Sequence, residues 1–216
     1  MPRSSARRPP ARTPSVQRLS LPGARADRQG ASDLPVFDEI AALFSRRGDR
    51  AYFGEPVSMT QHQLQAAHFA QADGASPELI LAALLHDVGH LLEDVPDELS
   101  EWTVDARHEI SGAEWLAQRF PRAVSDPVRL HVPAKRYLCA VDASYIAELS
   151  PASRHTLELQ GGLASDAEIA AFRAEPLWRA AVHVRRCDDR GKVAGLATPP
   201  LEAYRELIEA QARAPR

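Results

Sequence analysis

Apolar residues recur along this chain three or four positions apart, and no convincing stretch alternates as a strand would. Val36, Phe37, Ile40, Leu43 and Phe44 fall on one face of a predicted first helix. Thr60 stands where it can cap a second, running through His62, Leu64, Ala67 and Phe69 toward Gly74. Ser76-Pro77 joins a capping hydroxyl to a proline at the first helical position, opening an apolar helix through Leu79, Ile80, Leu84 and Leu85. A further helix spans His108 to Arg119 and is broken by Pro121. Ser165 and Glu168 form a capping box ahead of Ile169, Ala170 and Phe172. Pro176 opens a helix from Leu177 to about Lys192, and a last one runs from Leu201 to about Ala212. Internal repeats are absent. The pattern predicts an all-α, single-domain helical bundle.

The start of the chain is different. Residues 1–32 carry seven Arg, one Asp and several Pro, Ser and Gly, with no periodicity. Such a segment buries too little apolar surface to offset its ordering entropy. We therefore expect a disordered Arg/Pro-rich tail over residues 1–33 and one folded domain over 34–216. The tail lacks the compact apolar region of a secretory signal, although its composition suits an organelle transit peptide better.

Composition narrows the classes further. With 216 residues and 44% hydrophobic content, the chain can bury one sizeable core. Its net charge is -3; residues 1–32 contribute +6, which leaves -9 for the remainder. No apolar run approaches the ~18 residues of a membrane span. Cys139 and Cys187 are too few for a disulfide framework or a thiolate zinc site, and read as packing residues. A cytoplasmic protein with no nucleic-acid or membrane partner is expected; nothing in the sequence fixes an oligomeric state. Of 26 basic residues, 24 are Arg, and the only lysines are Lys135 and Lys192.

The chemistry concentrates around LLHDVGH, residues 84–90. His86 and His90 are one helical turn apart and, on a continuous helix, would address a single site. The adjacent His86 and Asp87 could ligate together only near a helix end, which Gly89 would permit. Around them stand His62, His108, His131 and Asp188. Five histidines and two aspartates converging in a helical core would be very costly unless paired, and a metal centre resolves that cost. Imidazole and carboxylate without thiolate suit Fe, Mn, Co or Zn. His68, His155 and His183 lack such company and read as ordinary surface or satisfied core residues.

His62, then His86-Asp87, then Asp188 resembles the H…HD…D signature of the HD-domain superfamily, an all-α metal-dependent fold. Most of its members are phosphohydrolases. With His108 and His131 added, the set is similar to the six-ligand, two-metal subset in which the Asp of the HD pair, here Asp87, bridges the metals. A smaller branch, the PhnZ-type oxygenases and myo-inositol oxygenase, resembles this sequence through the same ligands and uses di-iron and O2. Three further segments are similar to that branch: Tyr52-Phe-Gly-Glu55 before His62, Lys135 four residues after His131, and Lys192 four residues after Asp188. The stretch SPASRHTLELQGG, residues 150–162, also resembles proteins of organophosphonate breakdown.

The resemblance covers about residues 52–207, and its implications are expectations. Two iron ions, mixed-valent Fe(II)/Fe(III), would be held by His62, His86, Asp87 and Asp188 on one side and by Asp87, His108 and His131 on the other. O2 would be co-substrate, and a small 1-hydroxyalkylphosphonate, such as 2-amino-1-hydroxyethylphosphonate, would yield glycine and phosphate. Lys135, His90 and Arg185 would neutralise the phosphonate, Glu55 would take the substrate ammonium, and Tyr52 would vacate its metal on substrate entry. Ser153 and Gln160 would hydrogen-bond substrate oxygens. Asp189 competes with Asp188 as last ligand, and the Asp-x-x-x-Lys spacing selects Asp188. The alternative reading is a metal-dependent phosphohydrolase acting on a nucleotide or other phosphoester. A second is a regulatory metal or anion sensor whose basic tail docks a partner.

Overall fold

The structure is a computed structural model that describes residues 34–93 and 105–213. The expected disordered tail lies outside the described residues. The elements are α1 (Val36–Arg47), α2 (Met59–Ala72), α3 (Pro77–Leu84), α4 (Val88–Leu92), α5 (His108–Ala117), α6 (Arg122–Val141), α7 (Ala143–Glu148), α8 (Pro151–Leu159), α9 (Asp166–Ala174), α10 (Trp178–Arg190) and α11 (Arg205–Gln211). A 3-10 turn, Leu201–Tyr204, leads into α11. Among the described residues there is no strand, only an isolated bridge between Ala51 and Ser58. No described helix is long and apolar enough to cross a membrane. The all-α reading holds.

Local chemistry sets the helix ends. Ser76 and Ser165 cap α3 and α9 as predicted, the second in a full capping box with Glu168. The second helix begins earlier than expected: its cap is Ser58, in a capping box with Gln61, and Thr60 lies inside the first turn. The 20-residue α6 went unpredicted because Pro127 and Pro133 interrupt its pattern. Proline removes one helical hydrogen bond and crowds the preceding turn, a cost of about 3 kcal/mol. Burial of Val124, Val128, Leu130, Val132, Ala134 and Leu138 outweighs it, at roughly 1.5–3 kcal/mol for a large apolar side chain. This helix is the axis of the site, packing against α3, α5 and α10.

The HD segment departs most from a straight-helix reading. The helix α3 stops at Leu84, the backbone passes through Leu85 (φ -114°, ψ 13°) and Asp87 (φ -102°, ψ 15°), and α4 restarts at Val88. His86 and His90 therefore do not share one continuous helical face. The break is what lets the neighbours His86 and Asp87 reach one centre. It falls before Gly89, so the glycine serves another purpose: a Cβ there would lie 2.1 Å from the backbone oxygen of His108. Gly89 allows α4 and α5 to touch, which brings His108 in.

Candidate active site

The six metal-ligand candidates come from five parts of the bundle. His62 lies near the start of α2, His86 and Asp87 sit in the α3–α4 break, His108 opens α5, His131 is central in α6, and Asp188 is near the end of α10. All six are buried. Their donor atoms form two groups. His62 Nε2 is 3.0 Å from His86 Nε2, 3.4 Å from Asp87 Oδ2 and 3.4 Å from Asp188 Oδ1. His108 Nε2 is 3.1 Å from His131 Nε2 and 3.2 Å from Asp87 Oδ1. Asp87 thus turns one oxygen to each group, the arrangement of a bridging carboxylate.

The opposite ring nitrogens are anchored. His62 Nδ1 pairs with the Gly191 carbonyl at 2.9 Å, His86 Nδ1 with Ala83 at 2.8 Å, and His131 Nδ1 with Val128 at 2.7 Å. An Nδ1–H bonded to a carbonyl leaves the Nε2 lone pair facing inward, as a metal ligand requires. Asp188 Oδ1, buried and without a hydrogen-bond partner, faces the same point. Burial holds His131 neutral, lowering it to about 3. Burial would raise Asp188, but the Arg185 guanidinium and Lys192 ammonium keep it well below the usual carboxylate range. The donor set fits two divalent or trivalent ions of intermediate softness.

A cavity opens on this cluster. Its lining also includes Lys135, Ser153, Thr156, Gln160 and Lys192. Lys135 is 2% exposed and donates to Thr156 Oγ1 at 2.9 Å. Burial, with Arg185 nearby, pulls its ammonium down to about 7, so it is poised to gain from an anion. Lys192 donates to Ser153 Oγ at 2.9 Å and lies 4.0 Å from both Glu55 and Asp188. The cavity leaves about 40 Å³ for water centres, where a single water takes roughly 10–15 Å³. That is room for a few waters beside the cluster.

The Tyr52–Glu55 loop closes the cavity. Glu55 N bonds Tyr52 O at 2.8 Å across Phe53 and Gly54, both with positive φ (48° and 79°). Tyr52 stacks on His62 with centroids 3.7 Å apart, and its hydroxyl donates to Asp87 Oδ2 at 2.9 Å. Burial and the Asp87 charge raise the phenol well above its ordinary value, so it stays a donor. One Glu55 oxygen is buried with no hydrogen bond. His90 is not among the two ligand groups; it stacks on His108 at 3.9 Å and lines the cavity.

Arg185 spans both sides, donating to Asp188 Oδ2 at 2.6 Å and to Ser153 Oγ at 3.4 Å. Asp189 is not with the ligands: Arg185 and Tyr145 hold it. Sequence reasoning missed Thr156 and Tyr145. Thr156 follows Ser153 by three residues on α8, a spacing that puts both on one face once that helix is recognised. Tyr145 carried no sequence signal.

Residues 59–158 match the family described as HD domain. A hydroxymethylphosphonate dioxygenase of Gimesia maris is 47% identical over 175 residues, covering 80% of this chain and 87% of its own. A (1-hydroxy-2-(trimethylamino)ethyl)phosphonate dioxygenase, glycine-betaine-forming, of Leisingera caerulea is 42% identical over 174 residues, covering 81% of this chain and 89% of its own. An uncharacterized protein of Acanthamoeba polyphaga mimivirus is 33% identical over 171 residues, 78% of each chain.

Proposed function

The chain belongs to the HD-domain family, within it to the group of phosphonate dioxygenases, and from that premise we propose that it cleaves the carbon–phosphorus bond of a small 1-hydroxyalkylphosphonate oxidatively, consuming O2 at a di-iron centre. For 2-amino-1-hydroxyethylphosphonate the products would be glycine and phosphate, which together contain both atoms of one O2.

One observation supports the reading above the others: a single cavity is lined both by residues of the His/Asp cluster and by a buried lysine among hydroxyls. A hydroxyphosphonate has the matching two ends. Two iron ions would supply Lewis acidity toward the substrate oxygens and electrons for O2. The chain's own residues bind and orient. Lys135, with Ser153, Thr156 and Gln160, meets the phosphonate as a compact charge among neutral donors. Arg185 borders the same cavity and adds a guanidinium charge, while His90, held neutral by burial, would offer a ring N–H to a phosphonate oxygen. Glu55, whose buried oxygen has no hydrogen bond and lies 4.0 Å from the cavity residue Lys192, would meet the remaining substituent and suits an ammonium. Tyr52, bonded to Asp87, gives up that contact as substrate enters, and its ring keeps water from the cluster until then.

The deciding experiment is phosphate release by the iron-loaded protein from 1-hydroxyalkylphosphonates with and without O2. Release should require O2. Equal release under strict anaerobiosis would instead establish hydrolysis and overturn the proposal.

A further inference from the structure

Asp188 presents its two oxygens to different partners. Oδ1 lies 3.4 Å from His62 Nε2 in the ligand cluster and has no hydrogen bond, while Oδ2 accepts from Arg185 Nη1 at 2.6 Å. Which oxygen faces the cluster therefore depends on where the guanidinium sits. A second set of bonds fixes the guanidinium. Its Nε donates to the Tyr145 hydroxyl at 2.9 Å and to Asp189 Oδ2 at 3.2 Å, and its Nη2 donates to Asp189 Oδ1. Tyr145 completes the loop by donating to Asp189 Oδ2 at 2.6 Å.

We propose that Tyr145 and Asp189 are positioning residues for the metal centre. They clamp Arg185 so that it occupies Asp188 Oδ2 and leaves Oδ1 alone for the metal shared with His62 and His86. Neither residue lines the cavity, so they act on the centre only through Arg185. The clamp has a structural logic. Asp188, Asp189 and Arg185 share α10, where positions three and four apart are neighbours, and Tyr145 reaches in from α7. A bare arginine three residues before a ligand could also take it bidentately; the second carboxylate and the phenol hold it to one oxygen. Partners that orient a ligand typically change metal affinity 10- to 100-fold when removed.

This inference rests on the two-metal reading, and its test is arranged to separate the two. Tyr145→Phe, Asp189→Asn and, as control, Tyr137→Phe are compared with wild type. Tyr137 lies in the same apolar cluster as Tyr145, but its hydroxyl accepts from Arg173 and has no link to Asp188. Each protein is loaded with Co(II), and metal retention against a chelator and the visible Co(II) absorption are read without substrate or O2. Wild type binding fewer than two ions per chain would defeat the two-metal reading. With two bound, Tyr145→Phe and Asp189→Asn should lose one of them roughly tenfold more readily, with an altered Co(II) spectrum, and Tyr137→Phe should match wild type. Unchanged retention and spectrum in Tyr145→Phe would overturn the clamp. So would an equal loss in Tyr137→Phe, which would mark a general packing effect. If Asp189→Asn fails to fold, the conservative Tyr145→Phe still decides.

Discussion

At the scale of single residues, Asp87 bears the greatest consequence. Both oxygen atoms face histidine donors, 3.4 Å from His62 and 3.2 Å from His108, so one substitution strips a ligand from each ion. Asp87→Ala should bring metal content well below two per chain by elemental analysis, and His131→Ala should cost mainly the ion near His108. Retention of two ions and full activity in Asp87→Ala would refute the bridge. Glu55 bears on substrate choice, because the two named dioxygenase relatives differ in whether their substrate has a cationic group. Glu55→Gln should lower kcat/KM for an aminated hydroxyphosphonate by roughly 2–5 kcal/mol, the usual loss when one member of a buried charge pair is truncated. Hydroxymethylphosphonate should be nearly unaffected; equal damage to both would make Glu55 a loop residue. Lys135 predicts a pH dependence. Its ammonium loses its proton near 7 when folded and near 10.4 when unfolded, so between those values the unfolded chain binds the extra proton and stability rises with pH. Below 7 the whole cost of burying the charge is present. Lys135→Met should therefore stabilise the substrate-free protein at pH 6, by at most about 5 kcal/mol, and most of the gain should be lost by pH 10. The same change in denaturation midpoint at both pH values would contradict this. The six clustered residues were legible in the sequence as candidates because histidine and aspartate in a helical core require partners. Thr156, Asp189 and Tyr145 were not, since a hydroxyl or a second carboxylate acquires its role only from neighbours that folding brings.

At the scale of elements, the chain's caps and apolar stripes were readable where proline and serine stand at helix starts, as in α3 and α9. They misled where proline stands inside a helix. Pro127 and Pro133 hide α6, the element that carries His131 and Lys135, and only tertiary burial explains why it persists. The HD break was half legible. Adjacent ligands implied a helix end, but its place follows from how α4 meets α5. That contact gives a sharp prediction at Gly89. A methyl group there would meet a backbone carbonyl, which cannot swing aside as a side chain does. Gly89→Ala should destabilise the protein by roughly 3 kcal/mol, the upper end for overpacking, and should weaken the ion near His108 because α5 must move. Thermal melting and metal content together check this. A normal melting temperature with both ions retained would show that α4 and α5 can separate at little cost.

At the scale of the whole molecule, the two ends of the site come from different parts of the bundle. The breaks and termini of α2 to α5 and α10 supply most of the His/Asp cluster, while α6 and α8 supply the lysine and hydroxyls proposed to meet the anion, and α6 joins the two through His131 and Lys135. The α1 helix stands outside this arrangement. It is fixed to the bundle elsewhere, with the Phe37 N–H donating to Glu209 at 2.8 Å and Arg119 pairing with Glu39 at 2.7 Å. Among the described residues, the cavity lining begins at Tyr52. Removal of residues 1–33 therefore leaves every described contact of the site intact while changing the net charge from -3 to -8. A change of that size alters the long-range field, which draws a phosphonate dianion less well when the protein is more negative. The field acts over a Debye length of about 8 Å at physiological salt and about 30 Å at 0.01 M. The truncated protein should match the full chain in kcat and melting temperature, and in KM at physiological salt. At low salt its KM should rise, and added salt should abolish the difference. A lower kcat, or a KM difference that persists at high salt, would mean that the segment before Leu34 contributes directly to the site.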